Sequence, residues 1–81
     1  MSRIIVKFRT LGMVQTNCYF VFREDTKACV IVDPAAEPDR IEALVQQLEL
    51  HPTAVLLTHG HFDHIMAVDA VREKYQIPVY A

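Results

Sequence analysis

The stretch Thr58-His59-Gly60-His61-Phe62-Asp63-His64 concentrates the residue types best suited to chemistry. It holds three of the chain's 4 histidines, with an aspartate among them. In an extended segment, residues two apart project to the same side, so His59, His61 and Asp63 can converge on one face. His64 enters from the first turn of a following helix, and Gly60 lets the backbone bend tightly between the imidazoles. Imidazole and carboxylate are ligands that Zn²⁺ and Fe²⁺ accept. The spacing therefore points to a metal centre. Asp63 also suits the N-cap of that helix, and a capping aspartate can hold a metal as well. A loop of solvated histidines is the bland alternative; the crowding of four such ligands into so short a segment argues against it.

The surroundings of the motif fit this chemistry. It follows Ala54–Leu57, a short apolar run that reads as a buried strand. It precedes a helix over His64–Tyr75, with Ile65, Val68, Val71 and Tyr75 on the inner side. Open α/β sheets place their sites just beyond the carboxyl ends of parallel strands. Asp33 ends another apolar run, Ala28–Val32, and so reaches the same edge. There it either orients a ligand imidazole from behind or serves as a turn or cap residue before Pro34.

The remaining elements must carry this edge. Ile4–Phe8 reads as a first strand, Leu11–Thr16 as a loop with Gly12, and Asn17–Phe22 as a second strand. Glu24-Asp25-Thr26-Lys27 is a polar turn, and Ala28–Val32 is a strand of the kind buried on both faces. Pro38–Leu50 forms an amphipathic helix with Ile41, Leu44, Val45 and Leu48 on one stripe, and Pro38 suits its first turn. Asp39 and Glu42 favour the positive N-terminal end of that helix, and His51 is read as a cation in its last turn. Ile77–Ala81 begins a further strand. The order β-β-β-α-β-α-β is an α/β arrangement with parallel crossovers on a hairpin-bearing sheet. Within the hairpin, Phe22 is placed opposite Ala28, so Cys18 faces Val32 and Cys29 faces Val21. The two thiols are then not opposed, and both are read as buried and free.

Composition narrows the rest. Of 81 residues, 52% are hydrophobic and 22% charged, with Gly 2, Pro 4, Cys 2 and no Trp. That apolar share is high for so short a chain. It excludes a disordered tail and a disulfide-stapled miniprotein, and leaves a very compact domain or part of a larger one. Lys+Arg is 8 against Asp+Glu 10 without clustering, so no basic stripe for nucleic acid is present. No apolar run approaches the roughly 18 residues that a bilayer requires. A cytoplasmic protein without nucleic-acid or membrane partners is expected.

The motif resembles the signature of the metallo-β-lactamase superfamily. Gly12, Asn17-Cys18-Tyr19 and Val32-Asp33-Pro34, followed by Leu57-Thr58-His59-Gly60-His61-Phe62-Asp63-His64, resemble its glyoxalase II-like hydrolases in particular. The resemblance covers essentially the whole chain, as the N-terminal part of a single domain of the αββα sandwich fold. It departs from many relatives at Met66-Ala67, where they carry small, glycine-rich residues.

Several expectations follow from the resemblance. Residues His59 and His61 serve a first metal, Asp63 and His64 a second, and Asp33 supports them. Two Zn²⁺ ions occupy the complete site, with iron as the other metal the ligands accept. A third histidine, a bridging aspartate and a further histidine belong to later segments, so the missing C-terminal part is needed to complete the site. Bound metal brings the pKa of a water to about 7, and the hydroxide attacks the carbonyl of a small-molecule thioester such as an acyl-glutathione. Asp63, counted as catalytic, and His61 help to place metals and nucleophile. The competing expectations are a persulfide dioxygenase-like enzyme with one iron and a catalytically silent metal-binding fragment.

Overall fold

A computed structural model describes residues 3–12, 16–34, 36–58 and 66–80. The strands are β1 (Ile4–Leu11), β2 (Thr16–Arg23), β3 (Ala28–Val32), β4 (His51–Leu56) and β5 (Val79–Tyr80). The helices are α1 (Pro38–Gln47), between β3 and β4, and α2 (Met66–Tyr75), between β4 and β5. The strands form one five-stranded sheet in the order β1-β2-β3-β4-β5. β1 to β3 pair antiparallel, while β3–β4 and β4–β5 pair parallel. The element order and mixed sheet are those expected from the sequence.

Both crossovers return to a neighbouring parallel strand, and right-handed connections place both helices on the same face. Ile41, Leu44 and Val45 of α1 and Val68 and Val71 of α2 join Phe20, Phe22, Cys29, Ile31 and Val55 of the sheet in one core. The other face carries the alternate residues. Phe8, Tyr19, Val32, Leu56 and Tyr80 lie side by side in register across all five strands. Val6, Val21, Val30 and Ala54 form the next row. Within the described residues β3, read as a strand of the kind buried on both faces, is covered on one face. In β3 only Cys29 and Ile31 are fully buried, and in β4 only Val55 is. One helical layer covers one face, so burial alternates with the pleat.

The element boundaries differ from expectation for local reasons. Leu11 pairs with Thr16, so both belong to strands rather than to a loop. In the β2–β3 hairpin, Lys27 takes a left-handed φ of 64° and its N–H donates to the Arg23 carbonyl at 2.9 Å. That extra turn residue shifts the register by one, placing Phe22 opposite Cys29 and Tyr19 opposite Val32. The two cysteines are buried and free, as expected.

Helix α1 stops at Gln47 rather than Leu50. Glu49 adopts a left-handed φ of 55°, its N–H donates to the Gln46 carbonyl, and Leu50 N–H reaches back to the Val45 carbonyl at 2.9 Å. This is a Schellman ending with glutamate where glycine is usual. It reverses the chain at once, so His51 is the first residue of β4 and not a helix-end cation. Helix α2 ends the same way, through Gln76 (φ 52°) and an Ile77 N–H bonded to the Arg72 carbonyl, which leaves Val79–Tyr80 as β5. The expected start of α2 at His64, and Ala81 of the expected last strand, lie outside the described residues.

Candidate metal centre

β3, β4 and β5 all end at one edge of the sheet, and β1 ends there too because β2 reverses between β1 and β3. At this edge β3 delivers Asp33, which is 5% exposed and sits at a left-handed φ of 56°. Aspartate tolerates that region better than most residues do. Its N–H donates to the Leu56 carbonyl at 2.9 Å, extending the β3–β4 pairing by one step. Its carboxylate accepts the Thr58 N–H at 2.8 Å through Oδ1 and the Thr58 hydroxyl through Oδ2. Asp33 thus binds the residue that immediately precedes His59. The contact is to Thr58; the expected orienting of a ligand imidazole by Asp33 falls on residues outside the described set.

His59, His61, Asp63 and His64 themselves lie outside the described residues, as does Ile65. Both flanks of the segment are placed. Thr58 is held by Asp33, and α2 starts at Met66 with Ala67 and Val68 buried. Among the described residues no group of three or more His, Cys, Asp or Glu side chains could hold a metal.

A second tie fixes the neighbouring corner of the edge. Glu37 is the N-cap residue of α1, with φ 51°, and its side chain makes no capping hydrogen bond. Its Oε2 instead accepts the Gly12 N–H at 2.7 Å and the Arg40 Nη1 at 3.4 Å, and Arg40 also reaches the Thr10 carbonyl at 3.5 Å. Gly12 has φ 74°, and a Cβ there would meet the Ala36 Cβ at 3.1 Å, so the glycine serves both backbone and packing. The sequence pointed to Gly12 but not to Glu37. The signal was an acidic residue just before Pro38, which reads only as the start of a helix. Beside this corner Thr10 donates to Asn17 Oδ1 at 3.0 Å and Asn17 Nδ2 to the Tyr19 hydroxyl at 3.3 Å.

Cys18 and Cys29 are free and buried in the core beneath this edge. Burial pushes the Cys18 thiol up to about 12, with the charge of Asp33 and then Cys29 adding to the effect. Burial alone pushes Cys29 up to about 12. Burial thus favours the neutral thiol at both positions.

The sequence pattern of the metallo-beta-lactamase superfamily matches residues 11–81. The chain belongs to the metallo-beta-lactamase superfamily. It is 49% identical over 70 residues to a probable metallo-hydrolase, YqgX, of Bacillus subtilis, covering 86% of this chain and 32% of that protein. It is 32% identical over 66 residues to the hydroxyacylglutathione hydrolase GloC of Haemophilus influenzae, covering 82% of this chain and 31% of that one. Among solved structures, the BLEG-1 B3 metallo-beta-lactamase superposes with a TM-score of 0.85 at 46% identity, over 94% of this chain and 36% of that chain. The di-iron-bound form of TTHA1623 superposes with a TM-score of 0.78 at 43% identity, over 91% of this chain and 36% of that chain. The chain therefore spans about a third of the length of the relatives it matches. Like them it has the metallo-beta-lactamase fold, here the N-terminal portion with one sheet and two helices. Among the described residues, no helix is long and apolar enough to cross a membrane.

Proposed function

We propose that residues 1–81 form the N-terminal part of a single metallo-beta-lactamase domain that hydrolyses a small thioester of the acyl-glutathione type. The observation that carries the reading is the buried Asp33 carboxylate on Thr58, which fixes the entry to the histidine segment at the carboxyl edge of the sheet. The hydroxyacylglutathione activity in the name of GloC supports the substrate class.

A metal fits the donor set, since three imidazoles and one carboxylate within six residues are donors that zinc and iron accept. His59 and His61 would hold one ion, Asp63 and His64 a second, with further ligands supplied from later segments of the domain. When bound, the metal supplies Lewis acidity for the thioester carbonyl and acidifies a water for attack. The chain's own residues provide the frame. Asp33 holds the backbone of Thr58, Glu37 holds that of Gly12, and Asp63 would help to place the metals and the nucleophile.

The test is metal content and hydrolysis together. The zinc that copurifies should fall by most of its value in His61→Ala, by elemental analysis, and unchanged metal would remove the site. The di-iron form of TTHA1623 favours iron as the competing metal. Dominant iron with oxygen uptake, and no thioester cleavage, would replace the hydrolase with the dioxygenase-like reading.

A further inference from the structure

We infer that Glu37 is a positioning residue for substrate binding, holding the end of β1 as one wall of the substrate site at the carboxyl edge. The inference rests on the thioester-hydrolase reading above. It starts from a repeat in the loop between β3 and α1, where Asp33-Pro34 and Glu37-Pro38 are acidic–proline pairs four residues apart. Both acidic residues take a left-handed backbone, at φ 56° and 51°. A residue before proline is driven toward extended backbone, and only glycine enters the left-handed region freely. Each carboxylate turns away from its own loop to accept a backbone N–H that lies 25 positions off along the chain. Asp33 accepts that of Thr58, beyond β4, at 2.8 Å, and Glu37 accepts that of Gly12, beyond β1, at 2.7 Å.

The loop is thus a bracket with two arms, one on each strand end that flanks the edge. Strain at non-glycine residues persists where the surrounding contacts enforce it, and it gathers at functional sites. Stability does not account for it at Glu37, because the ion pair with Arg40, at 3.4 Å, is half exposed and contributes little. What the strained backbone secures is the place of Gly12, where a Cβ would meet that of Ala36, and of the Thr10 carbonyl, which Arg40 also reaches. Three strand spacings separate β1 from β4, about 14 Å in all. An extended tripeptide spans about 10 Å, and the acyl group of a glutathione thioester adds to that length. A substrate whose thioester lies beyond the end of β4 therefore brings its peptide end to the Gly12 corner.

Hydrolysis of S-acetylglutathione by the zinc-loaded domain, with calorimetric titration of S-methylglutathione, tests this role. Glu37→Ala removes a hydrogen bond to a charged acceptor, so KM and the Kd for S-methylglutathione should both rise about tenfold. The kcat and the zinc bound per chain should stay unchanged, the pattern of lost binding rather than lost chemistry. Glu37→Gln keeps an acceptor oxygen and should restore most of the affinity, whereas Glu37→Asp keeps the charge on a shorter arm and should behave like alanine. Asp39→Asn, which alters the charge in the first turn of α1, should change neither constant. If Glu37→Ala fails to fold, the glutamine and aspartate variants provide the same comparison. An unchanged KM in Glu37→Ala, equal losses in Glu37→Gln and Glu37→Asp, or a fall in zinc content that matches the rise in KM would each overturn the proposal. A parent protein that binds S-methylglutathione without cleaving the thioester would end the hydrolase reading, and the titration alone then decides the role of Glu37; one that does neither overturns both.

Discussion

The tie between Asp33 and Thr58 makes a quantitative prediction about how the fold serves the histidine segment. Replacing Asp33 with alanine deletes two hydrogen bonds to a charged acceptor, each contributing about 1.5–3 kcal/mol when buried. Thr58 is itself at an exposed position, so water recovers part of the loss, leaving about 2–4 kcal/mol. Alanine at a left-handed φ adds about 1 kcal/mol. The Asp33→Asn variant keeps both the tolerance for that backbone and one acceptor oxygen, and should cost about 1–2 kcal/mol. Urea unfolding at fixed protein concentration reads the series, with Asp33→Ala well below Asp33→Asn and the slope unchanged. Zinc titration calorimetry on the same proteins should show affinity falling about tenfold in Asp33→Ala, the low end for residues that orient metal ligands. Equal urea midpoints for the two variants would refute the hydrogen-bond account. A lowered midpoint with unchanged zinc affinity would refute the link between the anchor and the metal segment.

Two further outcomes follow from the geometry. The thiols of Cys18 and Cys29 titrate near 12 in the folded chain against an ordinary value of 9.0, so the unfolded state releases their protons first; their stabilising effect is complete below pH 9 and is lost as pH rises toward 12. Alkaline unfolding of the parent chain should therefore be steeper than that of a Cys18→Val, Cys29→Val double variant, and a thiol reagent at pH 8 should label the parent only when urea is added. Glu49→Gly should raise the unfolding free energy by about 1 kcal/mol, read as a higher urea midpoint at unchanged slope, because the left-handed ending of α1 needs no side chain; a lowered midpoint would mean that the glutamate side chain contributes something else.

Much of this frame was legible in the residues. The stripe Ile41, Leu44, Val45 marked the buried side of α1 because helical periodicity and core contact select the same positions. Ala28–Val32 was bounded correctly because polar turn residues and Asp33-Pro34 flank it. The hairpin register and the end of α1 departed from expectation at left-handed residues with side chains. Lys27, Glu49 and Gln76 carry none of the signal that glycine gives, yet each reverses the chain. They shifted the hairpin register, shortened α1 and brought His51 into β4. Burial of the strands differs between the two faces for another reason. An apolar run reports that a strand needs cover on both sides, and in this chain helices provide it on only one. Asp33 was placed at the correct edge by strand polarity, but its partner Thr58 looked like an ordinary loop residue. The hydrogen bond joins residues 25 positions apart, and no local pattern encodes it.

The strands lie in the sheet in the order in which they occur along the chain, with no transposition. A chain emerging from a ribosome can therefore add each strand to the edge left by the one before. The hairpin of β1 to β3 forms from local contacts alone, and each later strand–helix unit finds its template already in place. Such accretion keeps loop-closure costs small at every step. Asp33 is synthesised before Thr58 and waits, half of an unmade contact, until β4 arrives. The capture of Thr58 then follows the arrival of β4 and precedes that of β5, at the edge from which the histidine segment departs.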